Sequence, residues 1–170
     1  RLGETAFRVR SSFLPGPGKT VTERIETLKL HEIDLTKGAV LERGCVYIVP
    51  LLESLDLPDA VSASANPKSS TGRLDIFTRV ISDAARSFDI VPAGYKGALY
   101  LEISPRTFPV LVRTGSRLSQ MRFRVGDARL DAAGHKALHA EQTLVFDPNM
   151  DVGEGVSLSI DLIGEGRSGL

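Results

Sequence analysis

The sequence has a single cysteine, Cys45, among 170 residues, so an internal disulfide framework is excluded and a reducing cytoplasm suits it. It also lacks an excess of either charge, with 21 Lys+Arg against 21 Asp+Glu. No whole-molecule field therefore draws it to DNA, RNA or an anionic membrane, and an anionic ligand has to be held by local basic residues. No apolar run approaches the length that spans a bilayer, and neither an internal repeat nor a clear linker is evident. The opening Arg1-Leu2-Gly3 has no initiator methionine and no charged-then-apolar leader pattern. With the close on Gly166-Arg167-Ser168-Gly169-Leu170, this leads us to expect one soluble, cytoplasmic domain over 1–170, cut at both ends from a longer protein.

What is present is an ordinary 42% of hydrophobic residues, enough for a sizeable core. Short β-like runs recur between Gly, Pro, Asn and Asp breaks at 5–10, 46–51, 61–65, 74–81, 98–103, 108–113, 121–125, 143–146 and 156–163. Their spacing predicts an all-β sandwich or barrel. Alternation is cleanest where Val156, Leu158, Ile160 and Leu162 interleave with Ser157, Ser159 and Asp161. One short helix is expected over 131–142, with Asp131 as its cap and Gly134 against it. The segment 14–20, LPGPGKT, reads as a loop.

Several motifs fail on inspection. Gly18-Lys19-Thr20 resembles the end of a phosphate-binding loop, but Phe13 stands where that motif needs glycine. His135 and His139 share a helical face without the intervening glutamate that zinc peptidases use. Zinc-dependent nucleobase deaminases draw two ligands from a P-C-x-x-C segment, which one cysteine cannot supply. No metal-ligating residue is expected.

The densest polar cluster runs from Asn66 to Leu74, NPKSSTGRL, with hydroxyls, two cations and a glycine just before an apolar run. Phosphate oxygens accept charge-assisted hydrogen bonds from such groups, and arginine can hold them bidentately. A plain polar turn is the competing account. In 98–104 the period-two geometry puts Leu99, Leu101 and Ile103 on one face and Tyr100, Glu102 and Ser104 on the other. Glu102 thus points away from the main apolar face, to be solvated there or to line a cleft as a general base.

NPKSSTGRLDIF (66–77) resembles the paired-serine and arginine segment of dCTP deaminases, within the deoxyuridine triphosphatase-like family. GYKGALYLEIS (94–104) resembles their catalytic segment, and FPVLVRTGSRLSQMRF (108–123) their following hairpin. The resemblance implies an all-β fold, a distorted β-barrel or jelly-roll of the dUTPase-like type, in a trimer or pseudo-trimer with sites between subunits. It is closest to the long bacterial form with two such halves, of which this chain would be the N-terminal one.

The resemblance implies zinc-independent hydrolysis of dCTP to dUTP and ammonia, with Mg²⁺ carried on the triphosphate. Mapped by residue, Glu102 takes the place of the catalytic glutamate, Ser69 helps hold water and base, and Arg73 lies near the reacting ring. Lys68, Ser70, Tyr95 and Gln120 fall at substrate-binding positions. The second arginine of these deaminases aligns with Ile90, so Arg86 or Arg79 has to replace it across a longer loop. Two other readings stand beside this one. A dUTP diphosphatase shares Tyr95 and Gly97, although it places an aspartate where this chain has Asp89 too far upstream and does not use a glutamate at 102. A nucleotide-binding half without catalysis of its own is the third.

Overall fold

The computed structural model describes residues 1–126, 129–146 and 155–156, in two units, Arg1–Gly126 and Asp127–Leu170. The first contains β1 (Thr5–Val9), β2 (Lys29–Asp34), β3 (Ala39–Leu41), β4 (Val46–Asp56), β5 (Val61–Pro67), β6 (Ile76–Ser82), β7 (Ile90–Val91), β8 (Lys96–Pro105), β9 (Val110–Val112) and β10 (Ser119–Val125), of which β2, β3 and β7 lie outside the expected runs. They form a five-stranded sheet ordered β2-β1-β4-β8-β6, a three-stranded sheet ordered β10-β5-β7 and a two-stranded β3-β9 pair. This is the expected all-β class.

The main core lies between the sheets. Leu99, Leu101 and Ile103 of β8 meet Tyr47 and Val49 of β4, Val80 of β6, Ala63 and Ala65 of β5, Leu41 of β3, and Val110 and Val112 of β9. Pro50 sits in β4 without an N–H to give, and the β4–β8 register shifts just beyond it, between Pro50 and Ser54. Its carbonyl accepts instead from Gly3 N–H at 2.8 Å, outside the regular ladder.

The single expected helix is a correction: the described residues contain three. The loop before Val21 ends in a capping box, in which Thr20 accepts from Glu23 N–H and the Glu23 carboxylate accepts from Thr20 N–H, so α1 (Val21–Leu28) starts there. One turn, α2 (Ser69–Arg73), interrupts the polar cluster, because Lys68 carbonyl accepts from Thr71 and Gly72. In the second unit α3 (Ala132–Glu141) begins at Asp131, whose side chain accepts from Gly134 N–H at 2.7 Å. The strand expected at 143–146 does not form. His139 Nδ1 instead accepts from Leu144 N–H at 3.2 Å, which ends the helix in a local turn. Most of the strand expected at 156–163 lies outside the described residues.

Both faces of the five-stranded sheet are covered. Val21 and Ile25 of α1, with Phe13 and Ala85, close a second cluster over Val9, Ile48, Ile81 and Tyr100. The polar face of β8 is therefore interior, and Glu102 is 1% exposed.

Candidate active site

Glu102 sits in the middle of the central sheet, paired in register with Ile48 of β4 and Arg79 of β6. Residues directly opposite in an antiparallel pair point to the same side, which brings the Arg79 side chain onto the carboxylate. Arg79 donates to Oε1 of Glu102 twice, from Nη2 at 2.6 Å and from Nε at 3.1 Å. The other oxygen, Oε2, is buried without a protein partner. Leaving a buried carboxylate oxygen unpaired costs about 1–3 kcal/mol or more, so such an atom asks for a functional account.

Arg79 is itself held on several sides. Its Nη2 donates to Ser12 Oγ at 2.6 Å, from the loop before α1. Its guanidinium lies 3.6 Å from the centre of the Phe88 ring and 4.9 Å from that of Phe77, both in the range of cation–π attraction. Asp89, next to Phe88, has a left-handed backbone with φ 63°, and its carboxylate accepts from Val80 N–H at 2.8 Å. Burial holds the Asp89 carboxyl above the ordinary carboxylate range, and the negative charge of Glu102 adds to that, against the Val80 N–H and Arg79. Arg79 thus faces two carboxylates, one bonded directly and one sensed through its field.

The residues of the polar cluster lie elsewhere. Lys68 and Gln120 line a cavity of about 560 Å³ together with Arg117, Ser119, Leu55 and Phe123. Val80 and Leu99 also line it, and they occupy the opposite faces of β6 and β8 from Arg79 and Glu102. Ser69, Ser70 and Arg73 are exposed on and around α2. The α2 turn is anchored by Thr71, whose hydroxyl donates to Leu118 carbonyl at 2.8 Å, and by Lys68 N–H to the same carbonyl at 2.9 Å. Arg86 is exposed in the loop after β6. Within one copy, therefore, the structure brings together two pairs of the residues picked from the sequence: Glu102 with Arg79 on one face of the central sheet, and Lys68 with Gln120 in the cavity on the other.

Tyr95 does a structural job at the start of β8. Its hydroxyl donates to Ala98 carbonyl at 2.6 Å and accepts from Asp83 N–H at 3.2 Å, and burial pushes it above the usual tyrosine range. Ser12, Phe77 and Phe88 were not singled out from sequence. Phe77 and Arg79 do alternate on one face of β6, but the loop serine that meets them is far off in sequence and gives no local sign.

Among the described residues, no three His, Cys, Asp or Glu side chains group to hold a metal ion, and no helix is long and apolar enough to cross a membrane.

Residues 1–127 match the family model described as the 2'-deoxycytidine 5'-triphosphate deaminase (DCD) N-terminal domain. The chain is 30% identical over 99 residues to a protein of Beutenbergia cavernae named dCTP deaminase, dUMP-forming, covering 58% of this chain and 48% of that one. It is 37% identical over 71 residues to a dCTP deaminase of Sulfurisphaera tokodaii, covering 42% of this chain and 34% of that one. It is also similar to the crystal structure of 2'-deoxycytidine 5'-triphosphate deaminase from Agrobacterium tumefaciens, at 66% identity and a TM-score of 0.74, over 85% of this chain and 44% of that one. The chain thus spans about half or less of the length of these relatives.

Proposed function

This chain belongs to the 2'-deoxycytidine 5'-triphosphate deaminase (DCD) N-terminal domain family, and on that premise we propose that it serves hydrolytic deamination of dCTP to dUTP and ammonia, with Glu102 as acid and base. The observation that carries this reading is the Glu102 carboxylate: one oxygen is committed to Arg79, and the other is buried without a protein partner. Oε2 takes a proton from a water as the water oxygen bonds to C4 of cytosine. That proton is passed to ring N3; Glu102 then moves the proton of the new C4 hydroxyl to the amino group, the C4–N bond breaks as the C4 carbonyl forms, and ammonia leaves. Ser69 and Arg73 orient and polarise the reacting groups in this scheme.

The reaction is read as independent of zinc, since the chain's single cysteine cannot furnish the ligand set of the zinc deaminases. Mg²⁺ arrives with the substrate, on its triphosphate, and the enzyme works in the cytoplasm. Lys68, Ser70 and Gln120 bind the phosphates, and Tyr95 and Arg86 are kept as substrate contacts.

The separation of Lys68 and Gln120 from Glu102 by the central sheet supports an oligomer. A trimer, or a pseudo-trimer of joined halves, lets one copy offer its phosphate-binding group to the Glu102 of another.

The test incubates the full polypeptide with dCTP and Mg²⁺ in the presence of a zinc chelator and separates the nucleotides by chromatography. The proposal expects dUTP and ammonia. dUMP with pyrophosphate would add or substitute phosphate hydrolysis, an outcome to look for because some relatives are named as dUMP-forming. Binding of dCTP without any product would assign this half a nucleotide-holding role.

A further inference from the structure

A carboxylate that is to gain and lose a proton has two oxygens, and a protein can decide which of them does the work. Here the two are not equivalent. Oε1 of Glu102 receives both Nε and Nη2 of Arg79, whereas Oε2 receives nothing from the protein. The guanidinium is planar and two of its donors converge on the one oxygen, so fixing its plane fixes where Oε1 is held. That plane is set by Phe88 at 3.6 Å and Phe77 at 4.9 Å, and its rotation is stopped by the hydrogen bond to Ser12 at 2.6 Å.

We propose that Arg79, locked by Ser12 and the rings of Phe77 and Phe88, is a positioning residue that commits Oε1 of Glu102 to the protein and leaves Oε2 as the proton-exchanging atom. Ser12 belongs to the loop before α1, so that loop becomes part of the catalytic arrangement without touching the substrate. Burial gives the arrangement its importance: Glu102 is 1% exposed, so bulk solvent does not orient it. The Arg79 side chain is 25% exposed and Ser12 is at the surface, so the grip reaches from the buried base to solvent.

The inference rests on the acid/base reading of Glu102, and the two fail separately. In the full polypeptide, kcat and KM for dCTP are measured for wild type, Arg79→Lys, Arg79→Ala, Ser12→Ala and Glu102→Gln, with the melting temperature of each. Lysine supplies a point charge without the fork, so Arg79→Lys is expected to lose about 10- to 100-fold in kcat with KM changed less than about threefold. Ser12→Ala is expected to lose a few-fold in kcat, in the same KM-neutral pattern. Added guanidinium, at tens of millimolar, is expected to restore kcat of Arg79→Ala at least about fivefold and saturably, while urea does not; a merely structural arginine gives no such rescue.

Arg79→Lys and Ser12→Ala both within twofold of wild-type kcat would overturn the inference and leave the function standing. So would a loss in Arg79→Ala that guanidinium does not restore while Arg79→Lys stays fully active. If Arg79→Ala does not fold, the lysine and Ser12 variants decide. Full deamination by Glu102→Gln would instead sink the acid/base reading on which the inference depends.

Discussion

The hydroxyl of Tyr95 lies 2.8 Å from the position that a Cβ on Gly97 would occupy. The ring folds back over the glycine to reach Ala98 carbonyl and Asp83 N–H, and Gly97 itself has φ 156°. The Tyr-x-Gly pair therefore shapes the entry to the strand that bears Glu102. Gly97→Ala is expected to cost about 1–3 kcal/mol, because the hydroxyl is pinned at both ends and cannot simply swing away. Chemical denaturation of the two proteins checks this, with an unchanged midpoint as the outcome that would refute it.

Glu102→Gln keeps the shape of the side chain and removes its proton chemistry. It is expected to lower kcat for deamination by about 10²- to 10⁴-fold while dCTP still binds. Steady-state rates paired with calorimetric binding distinguish this from a failure to hold nucleotide, which would show as lost binding heat.

Asp89 gives a pH dependence of definite sign. Its carboxyl is raised in the folded state, chiefly by burial, so the native protein holds the proton more tightly than the unfolded chain does. Its contribution is complete below the ordinary carboxylate pKa and is lost as pH rises through the raised folded value. Asp89→Asn, which can still accept from Val80 N–H, is expected to flatten that decline in a series of melting temperatures taken upward from acid pH. A variant that instead steepened the decline would contradict the assignment.

Lys68 and Gln120 line the cavity that the base does not reach. Lys68→Ala and Gln120→Ala are expected to raise KM for dCTP by roughly tenfold each, about 1.4 kcal/mol, with kcat changed much less. Mixing each variant with Glu102→Gln in equal amounts adds a further check. If one copy lends its cavity to another's glutamate, mixed oligomers show a component with wild-type KM and kcat that neither variant has alone.

Much of this could be read from residue order, and the failures have physical causes. Short β-like runs between turn residues located β1, β4, β5, β6, β8, β9 and β10, because each carries apolar residues for the core. β2, β3 and β7 are short or mostly polar and escaped, and α2 is a single turn within Ser and Gly. The capping box of Thr20 and Glu23 marks the start of α1 directly after the Pro/Gly-rich loop, a local signal that the expectation of a single helix passed over. The face of β8 was legible, while solvent and a cleft both stayed open for Glu102. A carboxylate opposite an apolar face is expected in water, and only the packing of Val21 and Ile25 makes that side interior. Arg79 was one of two candidates for the second arginine, but its contact with Glu102 comes from strand register, and Ser12 reaches Arg79 across 67 residues, neither of which residue order displays. The positions at 68–73 and 120 follow from resemblance to a family, and their distribution over two faces of a sheet has no trace in the order of residues.

β10 is paired to β5 alone among the described residues, and its last turn outward leaves Phe123 56% and Val125 80% exposed. A strand with one row of free peptide groups and greasy side chains beside it is a template for any extended chain that meets it. Preparations of this segment by itself are therefore expected to cloud on concentration. Val125→Lys, which places a charge on the open border, should raise the solubility limit without altering the melting temperature, as light scattering would record.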